Sequence, residues 1–161
     1  MLWGANYLSK RASMHEKGTF SLSDLMKRTK NNPKIAKAGA INLFIGVVRG
    51  ETLEEKSTVK KIIIDAYEEK ANEVLEKICD DLSKKHGIID VQIHHMTGEF
   101  DVGEDLVYVS VAGAHRRDVF PVLEEAVERY KSETPIFKKE RIADAEGKIT
   151  EYWTSEKYNT Q

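Results

Sequence analysis

A chain of 161 residues, 40% hydrophobic and 32% charged, has enough apolar side chain for one core and too little length for two ordinary domains. Its 25 Lys+Arg and 27 Asp+Glu nearly cancel, to a formal charge of -2, which excludes a protein held on nucleic acid by bulk charge but leaves room for a local basic site. The single cysteine, Cys79, excludes an intramolecular disulfide framework and a Cys-rich zinc site, and a lone thiol fits a reducing compartment. No apolar run reaches bilayer length, and the N-terminal MLWGANYLSKRASMHEKG lacks the apolar h-region of a secretory signal. The expected location is the cytoplasm.

In chain order, residues 1–20 show no period and read as an N-terminal tail. Residues 21–29, SLSDLMKRT, predict a short helix with Leu22, Leu25 and Met26 on one face and Ser21 or Ser23 as its cap. Asn31-Asn32-Pro33 stops it. GAINLFIGVVR, 39–49, is apolar and β-branched and predicts a buried strand. A polar stretch over 50–58 reads as a mobile loop, and VKKIIIDAY, 59–67, as a second strand. Ala71, Val74, Leu75, Ile78, Cys79 and Leu82 recur at spacings of three and four, which predicts an amphipathic helix ended by Lys84-Lys85-His86-Gly87.

Ile89, Val91, Ile93 and His95 alternate with polar residues, as in a half-buried strand. The turn-rich TGEFDVGED leads into LVYVSVAGA, 106–114, apolar on both faces and so expected at the centre of a sheet. Asp118 is the expected cap of a helix whose stripe is Val119, Val122, Leu123, Ala126, Val127 and Tyr130, with Pro135 at its end. Residues 136–142 and 148–153 read as strands joined by a turn at 144–147. The order predicts an α+β domain over 21–153, helices packed on a largely antiparallel sheet, with 154–161 as a C-terminal tail.

Four clusters carry chemistry. Arg49 ends the first apolar strand, where its planar fork suits phosphate or carboxylate, or where it is simply a solvated charge. His115 and Arg116, with Arg117, follow the central strand, either as an anion-binding or proton-moving group or as a basic rim. Lys131 closes the long helix and Lys138 lies beyond Pro135. A lysine among cations or partly desolvated acts as base or nucleophile, whereas the plain alternative is a helix-end lysine favoured by the dipole. His94-His95 lacks a third ligand at a metal spacing and predicts one buried and one exposed imidazole. Cys79 falls on the apolar helix face and reads as core. No phosphate-cradling glycine loop, nucleophile elbow or zinc-helix motif is present.

GAINLFIGVVRG (39–50), IDAYEEKANEVL (64–75), HHMTGEFDVGEDLVYVSVAGAHRRDVF (94–120) and KSETPIFKKE (131–140) together resemble the large, catalytic subunit of molybdopterin synthase, from about Ser21 to about Trp153. The resemblance implies an α/β hammerhead combined with an antiparallel sheet, and a homodimer within a heterotetramer. The activity it implies is conversion of cyclic pyranopterin monophosphate into molybdopterin by inserting two sulfurs. The donor it implies is a small ubiquitin-like subunit with a C-terminal Gly-Gly thiocarboxylate, and it implies no metal or other cofactor. Residue by residue, it implies that Lys131 meets the thiocarboxylate, that Lys138 lies at the pterin, and that Arg49, His115 and Arg116 bind anionic substrate. Phe137 stands where the family has a tryptophan, and Met96 where an arginine often follows the histidine. The competing class is a non-enzymatic module holding RNA or another polyanion, which predicts salt-steep binding without a partner protein.

Overall fold

A computed structural model describes residues 10–52 and 57–154. In chain order these form β1 (Ala12–Glu16), α1 (Leu22–Lys30), a 3-10 turn (Ile35–Lys37), β2 (Ala40–Val47), β3 (Thr58–Ala66), α2 (Glu68–Ser83), β4 (Ile88–Asp101), β5 (Asp105–Gly113), α3 (Arg116–Glu133), β6 (Ile136–Ala143) and β7 (Ile149–Thr154). The strands make one sheet in the order β2-β5-β4-β3-β6-β7, with β1 added to β4. Every pair is antiparallel except β1–β4. The α+β architecture expected from the order of periods is the one observed.

Strand alternation sorts the side chains onto two faces. Val91 and Ile93 of β4 and Val107, Val109 and Val111 of β5 meet Leu75, Ile78, Cys79 and Leu82 of α2 and Val119, Val122, Ala126 and Tyr130 of α3. On the other face, Met96, Phe100, Tyr108, Ile62 and Ile64 meet Phe20 and Leu25. Both faces are therefore covered, which is why β5 reads as apolar throughout. Ser21 caps α1 as expected and forms a reciprocal capping box with Asp24.

Four local expectations differ from the structure. Residues 12–16, read as part of a tail, are a strand. Ala12 and Met14 are buried, and their N–H groups donate to Glu76 Oε1 at 3.1 Å and Asn72 Oδ1 at 2.7 Å on α2. Strand β4 continues through the stretch read as turn-rich and turns only after Asp101, because its distal half pairs with β3 from Lys61↔Asp101 to Ile64↔Gly98. Strand β2 is an edge, not a buried strand: Leu43, Ile45 and Val47 are exposed. The cap of α3 is His115, with Asp118 inside the first turn.

The loop expected over 50–58 is anchored at both ends, by Val59 N–H donating to Gly50 O at 2.9 Å and Thr52 Oγ1 to Ser57 O at 3.1 Å; residues 53–56, like 1–9 and 155–161 of the two tails, lie outside the described residues. No helix among the described residues is long and apolar enough to cross a membrane.

Candidate functional site

Helix α3 leaves the end of β5 and returns along it, so its two ends lie at opposite ends of the sheet. At its start, Gly113 lets helix and sheet approach closely. A Cβ there would lie 2.7 Å from both Gly87 O and Val119 Cγ2, so only glycine fits. His115 and Arg116 sit at this end, both exposed. At the far end, Tyr130 packs edge-on against His95, ring centroids 5.9 Å apart. His95 pairs in register with Val107, and Val107 with Gly46. Arg49 follows three residues beyond Gly46, so it shares the Tyr130 end with Lys131.

Lys138 belongs to the same end. Strand β6 starts at Ile136, directly after the Thr134-Pro135 turn, and Lys138 pairs with Ile64, which in turn pairs with Gly98. Its ammonium lies 3.4 Å from Glu140 Oε1, and the Tyr152 hydroxyl donates to Glu140 Oε2 at 3.0 Å. Lys138 is thus accompanied by an anion, Glu140. Its signal was present, since residues two apart on a strand share a face.

The fold brings Arg49, Lys131 and Lys138 to one end and leaves His115 and Arg116 at the other. At about 1.5 Å of rise per residue, Arg116 and Lys131 are about 22 Å apart along α3. Within a single chain these five expected site residues do not come together.

Between the lysines, Thr134 is only 8% exposed. Its N–H donates to Tyr130 O at 3.2 Å, its carbonyl accepts from Ile136 N–H at 2.8 Å, and Tyr67 N–H donates to Pro135 O at 3.2 Å. The Thr134 hydroxyl is buried and has no hydrogen-bond partner among the described residues. Such a group costs about 1–3 kcal/mol.

Away from this end, His94 and His95 do face opposite ways, yet both are buried, His94 beneath Phe20 and His95 against Tyr130 of α3. Gln92 Nε2 donates to Asp90 Oδ2 at 2.7 Å, so Gln92 Oε1 is left to accept from His94 Nε2–H at 3.3 Å. His94 Nδ1 then accepts from His15 Nε2–H at 2.9 Å. Phe20 stacks on both imidazoles, at 4.3 and 4.2 Å. Burial, reinforced by His15 and Arg28, lowers His94 to about 3, and burial with Arg28 lowers His15 to about 4. No cluster of metal-ligating side chains occurs among the described residues.

The histidine pair makes a pH prediction. A histidine held neutral in the fold gives its full stabilisation above its unfolded value of about 6.5 and loses it as pH falls below that. Between pH 7.5 and pH 5, His94 alone is expected to cost about 2 kcal/mol, at 1.36 kcal/mol per unit. Burial raises Asp90, which works in the opposite sense at lower pH, so the slope is best read above pH 5. Urea unfolding at the two pH values checks it, and a His94→Gln variant should show a shallower slope. Equal slopes would reject the neutral assignment.

Cations thus stand at the ends of strands and of the long helix on an α+β sheet. The description "MoaE protein" belongs to the family model that matches residues 15–133. A molybdopterin synthase catalytic subunit of Pyrococcus abyssi is 36% identical over 108 residues, 67% of this chain and 72% of that protein. A probable molybdopterin synthase of Haloferax volcanii is 35% identical over 126 residues, 78% of this chain; the chain spans about half, 48%, of that longer relative. The crystal structure of molybdopterin synthase from Staphylococcus aureus superposes with a TM-score of 0.75 at 26% identity, covering 90% of this chain and 97% of that one. The chain belongs to the MoaE family, the catalytic subunits of molybdopterin synthase, sulfur-transferring enzymes of molybdenum cofactor biosynthesis. The matched range contains Arg49, His115, Arg116 and Lys131 and stops short of Lys138.

Proposed function

We propose that this chain converts cyclic pyranopterin monophosphate into molybdopterin, taking both sulfurs from the thiocarboxylated Gly-Gly terminus of a small ubiquitin-like subunit. Lys131 meets that terminus, Lys138 lies against the pterin, and Arg49 holds the phosphate. The observation that carries this reading is the convergence of these three cations at one end of a MoaE-family fold. Opening a cyclic phosphate and expelling a carboxylate both build negative charge, which preorganised cations stabilise. Glycine in the donor tail suits a narrow passage, because no side chain keeps the backbone away.

His115 and Arg116 complete the anion site from a second copy of the chain. A two-fold axis across the middle of α3 brings the start of one helix to the end of its mate. The surface suits such a contact. Phe44, Phe120, Pro121, Leu123 and Val127, together with Glu124 and Glu128, line a mainly apolar groove of about 490 Å³ along α3 and the open edge of β2, and Phe120 is 58% exposed. Exposed apolar edges of this kind are closed by pairing. With one small subunit at each of two sites, the assembly is a heterotetramer in the cytoplasm.

The test is reconstitution. Purified protein, cyclic pyranopterin monophosphate and a thiocarboxylated small subunit are mixed and the dithiolene product is assayed. Product that depends on the thiocarboxylate is expected. None, under conditions where the Pyrococcus abyssi catalytic subunit turns over, overturns the reading.

A further inference from the structure

We infer that Thr134 is a positioning residue for Lys131, an inference that rests on the role proposed above for that lysine. The turn that joins α3 to β6 is fixed without the Thr134 hydroxyl: Thr134 N–H, Thr134 O and Pro135 O all have backbone partners. Its backbone is extended, at φ -86° and ψ 133°, a conformation that valine adopts at least as readily as threonine. Packing and cap geometry are thus satisfied by an isostere without the oxygen. The hydroxyl nevertheless stands buried without a partner among the described residues, a state that proteins seldom keep without a use.

The use is set by position. Lys131 is three residues earlier, and residues three apart neighbour each other on a helix surface. A hydroxyl both donates and accepts, so it can orient the side-chain amine of Lys131 in its charged and in its neutral form. A carboxylate in the same place would hold the ammonium charged, and a second cation would repel it. The hydroxyl engages the amine when the donor tail docks. Contacts of this kind are commonly long or absent in the unloaded protein and close in the loaded complex.

The experiment compares Thr134→Val, Thr134→Ser and Ser83→Ala in the full reconstituted reaction. Ser83, in the last turn of α2, also buries an unpartnered hydroxyl among the described residues and serves as the control for stability alone. Thr134→Val is expected to lower kcat about 10-fold with KM for the small subunit within about 2-fold, and to melt at or above the wild-type temperature. Thr134→Ser is expected to keep kcat within about 2-fold, and Ser83→Ala to leave kcat unchanged. Wild-type kcat in Thr134→Val overturns the inference, as does a Thr134→Ser variant as slow as Thr134→Val. If Thr134→Val melts lower than wild type, the serine variant alone decides, because it restores the oxygen and not the shape. Turnover in Lys131→Ala would instead overturn the lysine assignment, which separates the two failures.

Discussion

Replacing Lys131 with alanine is expected to lower product formation at least about 10³-fold, the scale set by loss of a nucleophile or base acting directly on the reacting group. The fold should survive. Lys131 is a half-buried residue in the last turn of α3, while the buried stripe of that helix is Val119, Val122, Ala126 and Tyr130. Favourable dipole interaction at a helix end is worth about 0.3–1 kcal/mol, so a thermal melt should move by a few degrees at most. Lys131→Arg separates charge from proton transfer. Arginine keeps the cation but cannot give up its proton near neutral pH, so it should bind the thiocarboxylated subunit like wild type and turn over as poorly as alanine. Near-normal turnover by either variant would remove Lys131 from the chemistry. Lys138→Ala should weaken substrate binding as well as turnover, and it leaves Glu140 without the cation now 3.4 Å away; KM for the pterin is the quantity to follow.

The helices and most strands were legible because their periods are local. The stripes of α2 and α3, the alternation of β4 and the β6–β7 hairpin turning at Gly147, φ 82°, each follow from neighbours within a few residues. Strand β1 was not legible. It has five residues, ASMHE, and what makes it a strand is β4 on one edge and Glu76 and Asn72 of α2 on the other, contacts about sixty to eighty residues away in sequence. The burial of His94 was hidden for the same reason, since its neighbours His15 and Phe20 come from that stretch. Lys131 and Lys138 stood out because a helix end and a proline separate them. The gap between Lys131 and His115 was also in the sequence, as the length of one uninterrupted helix. The sequence did not say which copy supplies His115 and Arg116 to a site with Lys131, and Thr134 had no sequence signal beyond its place between the lysines.

That gap leads to an expectation about mixed assemblies. If each site takes Lys131 from one copy and His115 with Arg116 from the other, a Lys131→Ala protein and a His115→Ala/Arg116→Ala protein are each inactive alone. In a mixed dimer one site collects all the damage and the other is intact. Random exchange makes about half of the dimers mixed, so an equimolar mixture should recover about a quarter of the wild-type rate, a consequence of two-fold symmetry alone. If each chain builds its own complete site, exchange restores nothing and the mixture stays at the mean of its two inactive parents. If instead His115 and Arg116, about 22 Å from Lys131 along α3, serve no site, the His115→Ala/Arg116→Ala protein is itself active and the mixture runs at about half the wild-type rate, with or without exchange. The two variants must first be shown to exchange, by mass spectrometry of an isotope-labelled partner. With exchange complete and both parents inactive, a mixture without activity would show that His115 and Arg116 of one copy do not complete a site that contains Lys131 of the other.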